Sequence, residues 1–287
     1  MADSDSLFYL RTQYYLGAYQ NVAKNPLPPT DSPEYVPTLL YTARAHIALN
    51  DPAAAFNLVQ ADVLPAIRAV RALASYLQAK SSGSDVGTIL DELRDLAIEV
   101  EGEEDEEHPL AADGAGSGVV RVAAATAFVA EGELEEALTT LGVGTDKGVS
   151  DLECVHLTVQ IYLSIARTDL AKKIYLAAKK AQSAIKNNSS NLNNDLLLQL
   201  TEASLGLVSG GSLLDTAYHI YDEAASSPGS SSNGGIIAKK GVTYLMRGHL
   251  AEAEASFDEA LSLTSGAPAS SGLSGDALTA DADAAYE

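Results

Sequence analysis

The stretch GVTYLMRGHLAEAEASFDEA, residues 241–260, decides the fold. Gly241 and Tyr244 fall on one predicted helix. Ala253, Phe257 and Ala260 fall on a second, across the turn Arg247-Gly248-His249. Residues spaced by four and then three positions share one helix face. Small side chains at Gly241, Ala253 and Ala260 let two antiparallel helices approach closely, and the Phe257 ring fills the space beside them.

The same frame recurs toward the N-terminus. Tyr162 precedes Ala171, Tyr175 and Ala178 across a turn at Ala166-Arg167-Thr168. Phe128 precedes Ala137 and Leu141 across Glu131-Gly132-Glu133, and Ala217, Tyr221 and Ala224 follow the turn Gly210-Gly211. Leu39 to Leu49 and Ala53 to Val59 flank Asn50-Asp51-Pro52, and Tyr14 to Tyr19 belong to a further helix pair. This is the spacing of the tetratricopeptide signature. A triplet repeated after successive turns predicts stacked supersecondary units. Sustained period-two alternation is missing, which argues against sheet. The expected fold is all-α: a tetratricopeptide-like helical-repeat solenoid of antiparallel helix pairs, curled into a superhelix. It is expected to span residues 1–264.

Ser81 to Gly87, Gly102 to Gly118 and Ser226 to Gly235 read as loops from their Gly, Ser and charge content. Residues 99–118 read as an acidic loop insertion, with the run Glu99 to Glu107 at its start. Residues 265–287 are rich in Ser, Gly, Ala and Asp, with too little apolar surface to offset the entropy of ordering, and are expected to form a disordered tail.

Composition narrows the function. The formal net charge is −21, which disfavours a duplex or an anionic membrane as partner of the whole chain. Lys172-Lys173, Lys179-Lys180 and Lys239-Lys240 read as solvated helix faces. One cysteine, Cys154, excludes an intrachain disulfide and fits a reducing compartment. The segment Met1 to Gln20 lacks the basic start and apolar run of a signal peptide. The expectation is a cytoplasmic protein with no membrane-spanning helix.

No catalytic, cofactor or metal constellation emerges, so the expectation is a non-enzyme without a cofactor. Cys154 and His156 project about 200° apart on a helix and form no local dyad. The histidines at 46, 108, 156, 219 and 249 offer no helical metal pair. Gly142-Val143-Gly144 with Lys147-Gly148 lacks the Ser or Thr of a phosphate loop and reads as an inter-repeat turn. Glu99 to Glu107 lacks the alternating ligands of a calcium loop.

More specific resemblance lies in Ser150 to Leu163 (SDLECVHLTVQIYL) and its continuation Thr168 to Lys173 (TDLAKK). With Ala69-Val70-Arg71, Tyr76-Leu77, Phe8 and Tyr14 to Gln20 (YYLGAYQ), these segments resemble, in order, the epsilon subunit of coatomer. The resemblance covers roughly residues 6 to 264. It implies a subunit of the COPI vesicle coat, in retrograde Golgi-to-endoplasmic-reticulum and intra-Golgi transport. It implies a hetero-oligomer that reaches Golgi membranes and vesicles as a peripheral component, with helical repeats curling around the C-terminal region of the alpha subunit. The family continues with helices where this chain turns low-complexity.

Candidate partner-facing positions follow from the first helices of the repeats. Val122, Val129 and Leu163 would exclude water, Glu153, His156 and Gln160 would set orientation, and Thr126 and Val119 lie among them. The competing reading is a generic tetratricopeptide adaptor. Adaptors of chaperone tails clamp a carboxylate with Lys or Arg, and these positions carry neither. Candidate repeat-packing positions are Tyr162, Ala171, Tyr175, Ala178, Ala217, Tyr221, Ala224, Gly241, Tyr244, Ala253, Phe257 and Ala260.

Overall fold

The computed structural model describes residues 5–59, 64–102, 116–145, 148, 151–185, 192–227 and 233–264. The described residues form fourteen α-helices and no strand. They are α1 (Asp5–Tyr15), α2 (Tyr19–Ala23), α3 (Tyr35–Ala48), α4 (Pro52–Leu58), α5 (Pro65–Ser82), α6 (Gly87–Gly102) and α7 (Ser117–Glu131). After them come α8 (Leu134–Thr140), α9 (Leu152–Ser164), α10 (Thr168–Ile185), α11 (Leu192–Ser209), α12 (Ser212–Ser226), α13 (Gly234–Met246) and α14 (Leu250–Thr264). Consecutive helices pack as pairs, and the fold is an all-α helical-repeat solenoid.

Local sequence explains the breaks. Asp51 caps α4 by accepting the Ala54 N–H at 3.1 Å, and Pro52 occupies the first turn, where a missing N–H costs nothing. α5 runs five positions short of the expected loop end. The hydroxyls of Ser81 and Ser82 bond back to the carbonyls of Gln78 and Ala79, so the helix continues through both serines. It then closes with Gly83 N–H on Lys80 O and Ser84 N–H on Ala79 O. α6 likewise extends into the expected acidic loop. Its buried stripe Leu90, Leu93, Leu96 and Val100 keeps helical spacing to the end, so Glu99 and Glu101 are helical residues. The remainder of that run and the tail 265–287 lie outside the described residues.

The chain divides into two compact units. The first comprises Met1–Arg11 and Tyr19–Leu157. Here α3 packs on α5 and α5 on α7, while α4, α6 and α8 pair with their preceding helices. The core holds Leu40, Tyr41, Ile67, Val70, Tyr76, Leu93 and Phe128, all at most 1% exposed. Burying one such large side chain stabilises the fold by about 1.5–3 kcal/mol. At the margin of this core, Lys80 donates to Ala130 O at 2.7 Å and to Glu131 Oε1 at 3.0 Å, placing a cation at the C-terminus of α7. Hydrogen bonds from Tyr76 and Lys80 hold the Glu131 carboxyl below its ordinary value. Arg94 ties α6 to α8 through Glu136 and lies over the Phe128 ring at 5.4 Å.

The second unit comprises Thr12–Ala18 and Thr158–Glu287. Helices α10 to α14 pack each on the next. Leu200, Ala203, Ala217 and Tyr221 form one cluster, against which Tyr15 packs. Leu16, Ala224 and Ile236 form another. Asn233 caps α13 through Gly235 N–H at 3.0 Å and donates its own amide to Leu16 O at 2.9 Å. Ala171, Ala178 and Ala217 are wholly buried, and Tyr175, Tyr221, Ala224, Ala253 and Ala260 are nearly so. A Cβ on Gly241 would sit 2.8 Å from the Phe257 ring, so α13 and α14 touch there through backbone and aromatic face.

Candidate protein-interaction surface

The candidate positions lie on α7 and α9. α7 is apolar nearly all round because three helices, α5, α6 and α8, pack against it. Val122, Thr126 and Val129 form the half-buried strip left between those contacts. The Thr126 hydroxyl bonds back to Val122 O at 2.6 Å. Val119 is 4% exposed and belongs to the core, not to a partner-facing surface.

The first turn of α9 is held by a group that the sequence reading did not single out. Asp151 Oδ1 accepts the N–H groups of Glu153 at 2.9 Å and Cys154 at 3.3 Å, the arrangement of an N-cap. Its other oxygen lies against Gly118. A Cβ on Gly118 would fall 1.5 Å from Oδ2, so only glycine admits the carboxylate. Burial, with the nearby Glu153 charge adding, pushes the Asp151 carboxyl up from its ordinary value. An Asp followed by an apolar helical run is a recognisable cap signal in sequence; the Gly118 contact is not.

Glu153 and Cys154 project from that turn in different directions. Glu153 Oε2 meets Arg44 Nη2 at 2.6 Å, and Tyr41 Oη donates to Glu153 Oε1 at 3.3 Å. The Arg44 guanidinium also covers the Tyr41 ring at 5.6 Å. Glu153 therefore anchors α9 to α3. Cys154 is fully buried, with Sγ 3.8 Å from Gly118 O. Burial, reinforced by the Asp151 charge, pushes its thiol well above the ordinary value, so thiolate chemistry is suppressed. His156 is half-buried. Within the first unit the structure thus places Val122, Thr126, Val129, Glu153 and His156, with α7 and α9 joined at their first turns.

Gln160 and Leu163 belong to the second unit. Gln160 Nε2 donates to Ser204 Oγ at 3.1 Å, and Ser204 passes the bond to Leu200 O at 3.0 Å. Tyr221 Oη stands 3.3 Å from the same hydroxyl, and burial raises its pKa to about 12. Gln160 therefore ties α9 to α11. Leu163 is half-buried, and Tyr162 beside it is 9% exposed. On α13, Tyr244 contacts the Tyr218 ring edge-on at 5.3 Å between centroids.

Among the described residues no group of three or more His, Cys, Asp or Glu is gathered to hold a metal ion. Among them also, no helix is long and apolar enough to cross a membrane. The turn at Gly142 to Thr145 is compact, with Thr145 N–H on Gly142 O at 3.0 Å. Lys147 lies outside the described residues.

Comparison with known proteins bears on this scaffold. The family model described as coatomer epsilon subunit matches residues 3–270. Coatomer subunit epsilon-1 of Arabidopsis thaliana is 28% identical over 263 residues, covering 91% of this chain and 79% of that protein. Coatomer subunit epsilon-1 of Oryza sativa subsp. japonica is 28% identical over 262 residues, covering 91% and 79%. Coatomer subunit epsilon-2 of Arabidopsis thaliana is 28% identical over 262 residues, covering 91% and 78%.

Proposed function

Since this chain belongs to the coatomer epsilon subunit family, and so to the COPI coat, we propose that it is the structural subunit that binds and stabilises the C-terminal region of the coatomer alpha subunit. The observation that carries this reading is the family match across residues 3–270, which takes in every described helix. The work of the protein on this reading is retrograde Golgi-to-endoplasmic-reticulum and intra-Golgi transport. Its place is the cytoplasm, and Golgi membranes and COPI vesicles as a peripheral component. It needs no catalytic group and no cofactor.

The geometry supports a division of labour among the candidate residues. Val122, Val129 and Leu163 are half-buried apolar groups that a partner can cover with modest further loss of side-chain freedom. Thr126 and His156 share their exposure class. Glu153 and Gln160 have internal partners and act by fixing the setting of α9. A stable complex of this kind buries about 1,200–2,000 Å² in total and responds only modestly to salt.

Co-expression of the full chain with the C-terminal region of alpha, followed by size-exclusion chromatography, tests the proposal. A single co-eluting complex is expected, weakened by Val122→Asp together with Leu163→Asp while each variant still melts cooperatively. Residues 265–287 form a dispensable tail on this reading, so their deletion should change affinity by less than about 1 kcal/mol. Two folded proteins that elute apart would overturn the alpha-binding assignment.

A further inference from the structure

Most of the cations of this acidic chain have internal partners. Arg44, Arg68, Lys80, Arg94, Arg167, Lys179, Lys240 and Arg247 make ion pairs, and Arg121 and Arg71 meet Ser117 and the Phe56 ring. Among the described residues, the side chains of Lys24, Lys172, Lys173 and Lys180 make no ion pair, hydrogen bond or ring contact. Three of these four lie within nine positions on α10.

Their placement is not scattered. Each residue of a helix advances by about 100°, so Lys179, Lys172, Leu176, Lys180 and Lys173 follow one another in that order across an arc of about 120°. Leu176, at the middle of the arc, is 61% exposed. The lysines of the arc are exposed too, while Ala171, Tyr175, Ala178 and Gln182 turn the opposite side of α10 into the core. Lys179, at one border, is held by Glu202 at 3.5 Å and Tyr175 Oη at 3.0 Å. The acid on this side of the helix, Asp169, is forked by Arg167 at 3.0 and 3.1 Å and leaves the lysine charge in excess.

We infer that this face of α10 is a docking surface for an acidic segment of a partner protein, with an apolar side chain of that segment seated on Leu176 between flanking carboxylates that meet Lys172, Lys173 and Lys180. Charge complementarity selects the occupant. A short acidic segment feels only the lysines within a Debye length of about 8–10 Å. A broad anionic surface also meets the field of the whole molecule, whose net charge is −21. A lipid-binding helix presents a wide apolar face, whereas here one leucine is enclosed by lysines. These lysines are on a different helix from the α7 and α9 positions assigned to alpha, and the inference stands independently of that assignment.

Fluorescence anisotropy with the full chain tests the inference. The probe is a labelled synthetic peptide of repeating Asp-Glu-Leu, about 15 residues long, enough to follow four helical turns. At about 50 mM salt it should bind, and binding should fall at about 300 mM as screening shortens the range of attraction. Exchanging Lys172, Lys173 and Lys180 for Glu should weaken binding at least about tenfold, equivalent to about 1.4 kcal/mol. The milder triple change to Gln should give a smaller loss in the same direction. Leu176→Ser should weaken the Leu-containing peptide and leave an Asp-Glu-Ser peptide unaffected. Lys24→Glu, on the fourth such lysine, should change nothing. The inference is overturned by no binding, by equal binding to the triple Glu variant, or by an equal loss with Lys24→Glu. It is also overturned if phosphatidylserine vesicles bind through these lysines while the peptide does not.

Discussion

Arg44 on α3 and Glu153 on α9 are 109 positions apart in the chain and meet at 2.6 Å, with 12% and 14% of their side chains exposed. A pair this enclosed is poorly screened, and removing one member leaves the other charge with its desolvation cost uncompensated. Either Arg44→Ala or Glu153→Ala should destabilise the protein by about 2–3 kcal/mol, less than for a fully buried pair because some water reaches both groups. The double variant should lose much less than the sum of the two. Urea unfolding of the four proteins measures the coupling; simple additivity would mean the contact is incidental.

The pH response of the α9 cap has a definite sign. In the unfolded chain Asp151 ionises near its ordinary value of 3.8, and in the folded protein burial delays ionisation to higher pH. Its favourable contribution is therefore complete below the unfolded value and lost as pH rises through the raised folded value. Asp151→Asn keeps a capping oxygen and never ionises. The Tm of the Asn variant should gain on the parent as pH goes from about 4 to about 7, a range bracketing carboxylate ionisation. A constant difference across that range would reject the buried-charge account.

Packing between α13 and α14 discriminates two alanines that are two positions apart. Ala253 is 2% exposed, whereas Ala251 lies on the solvent side. Ala253→Leu should overpack the contact at about 1–3 kcal/mol. Ala251→Leu should fall within about 0.5 kcal/mol of the parent. Thermal melts that coincide for the two would show that the face is misassigned.

Cys154 should be chemically silent in the native protein. It is fully buried and its thiol is held well above the ordinary value by burial. A thiol-disulfide reagent at neutral pH should label it only at the rate of opening or unfolding, and should label it at once in denaturant. Fast native labelling would contradict the placement of Sγ against Gly118.

Much of the fold was legible because helical repeats are local objects. The triplets Ala171-Tyr175-Ala178 and Ala217-Tyr221-Ala224 mark faces that the structure buries, and the turns at Asn50-Asp51-Pro52 and Arg247-Gly248-His249 lie where the sequence placed them. Helix ends were less legible. α5 and α6 both run past the start of the expected loops, because serine back-bonding and a continuing apolar stripe outweighed the polar composition. Among the candidate surface residues, Val119 proved to be core. Its own helix gives no sign of which neighbour covers it.

What the amino-acid sequence determined by itself is periodic: the helices that carry the repeated triplets follow from residue spacing and turns, each set within a few residues of its cause. What only the tertiary structure decided is the pairing of charges and the fit of backbones. Glu153 is an anchor because Arg44 arrives from α3, and Gly118 must be glycine because the Asp151 carboxylate arrives from α9. Lys179 is paired and Lys180 is not because Glu202 of α11 reaches one and misses the other. Electrostatic and steric energies depend on distance in space, and chain packing alone brings residues far apart in sequence within reach of one another.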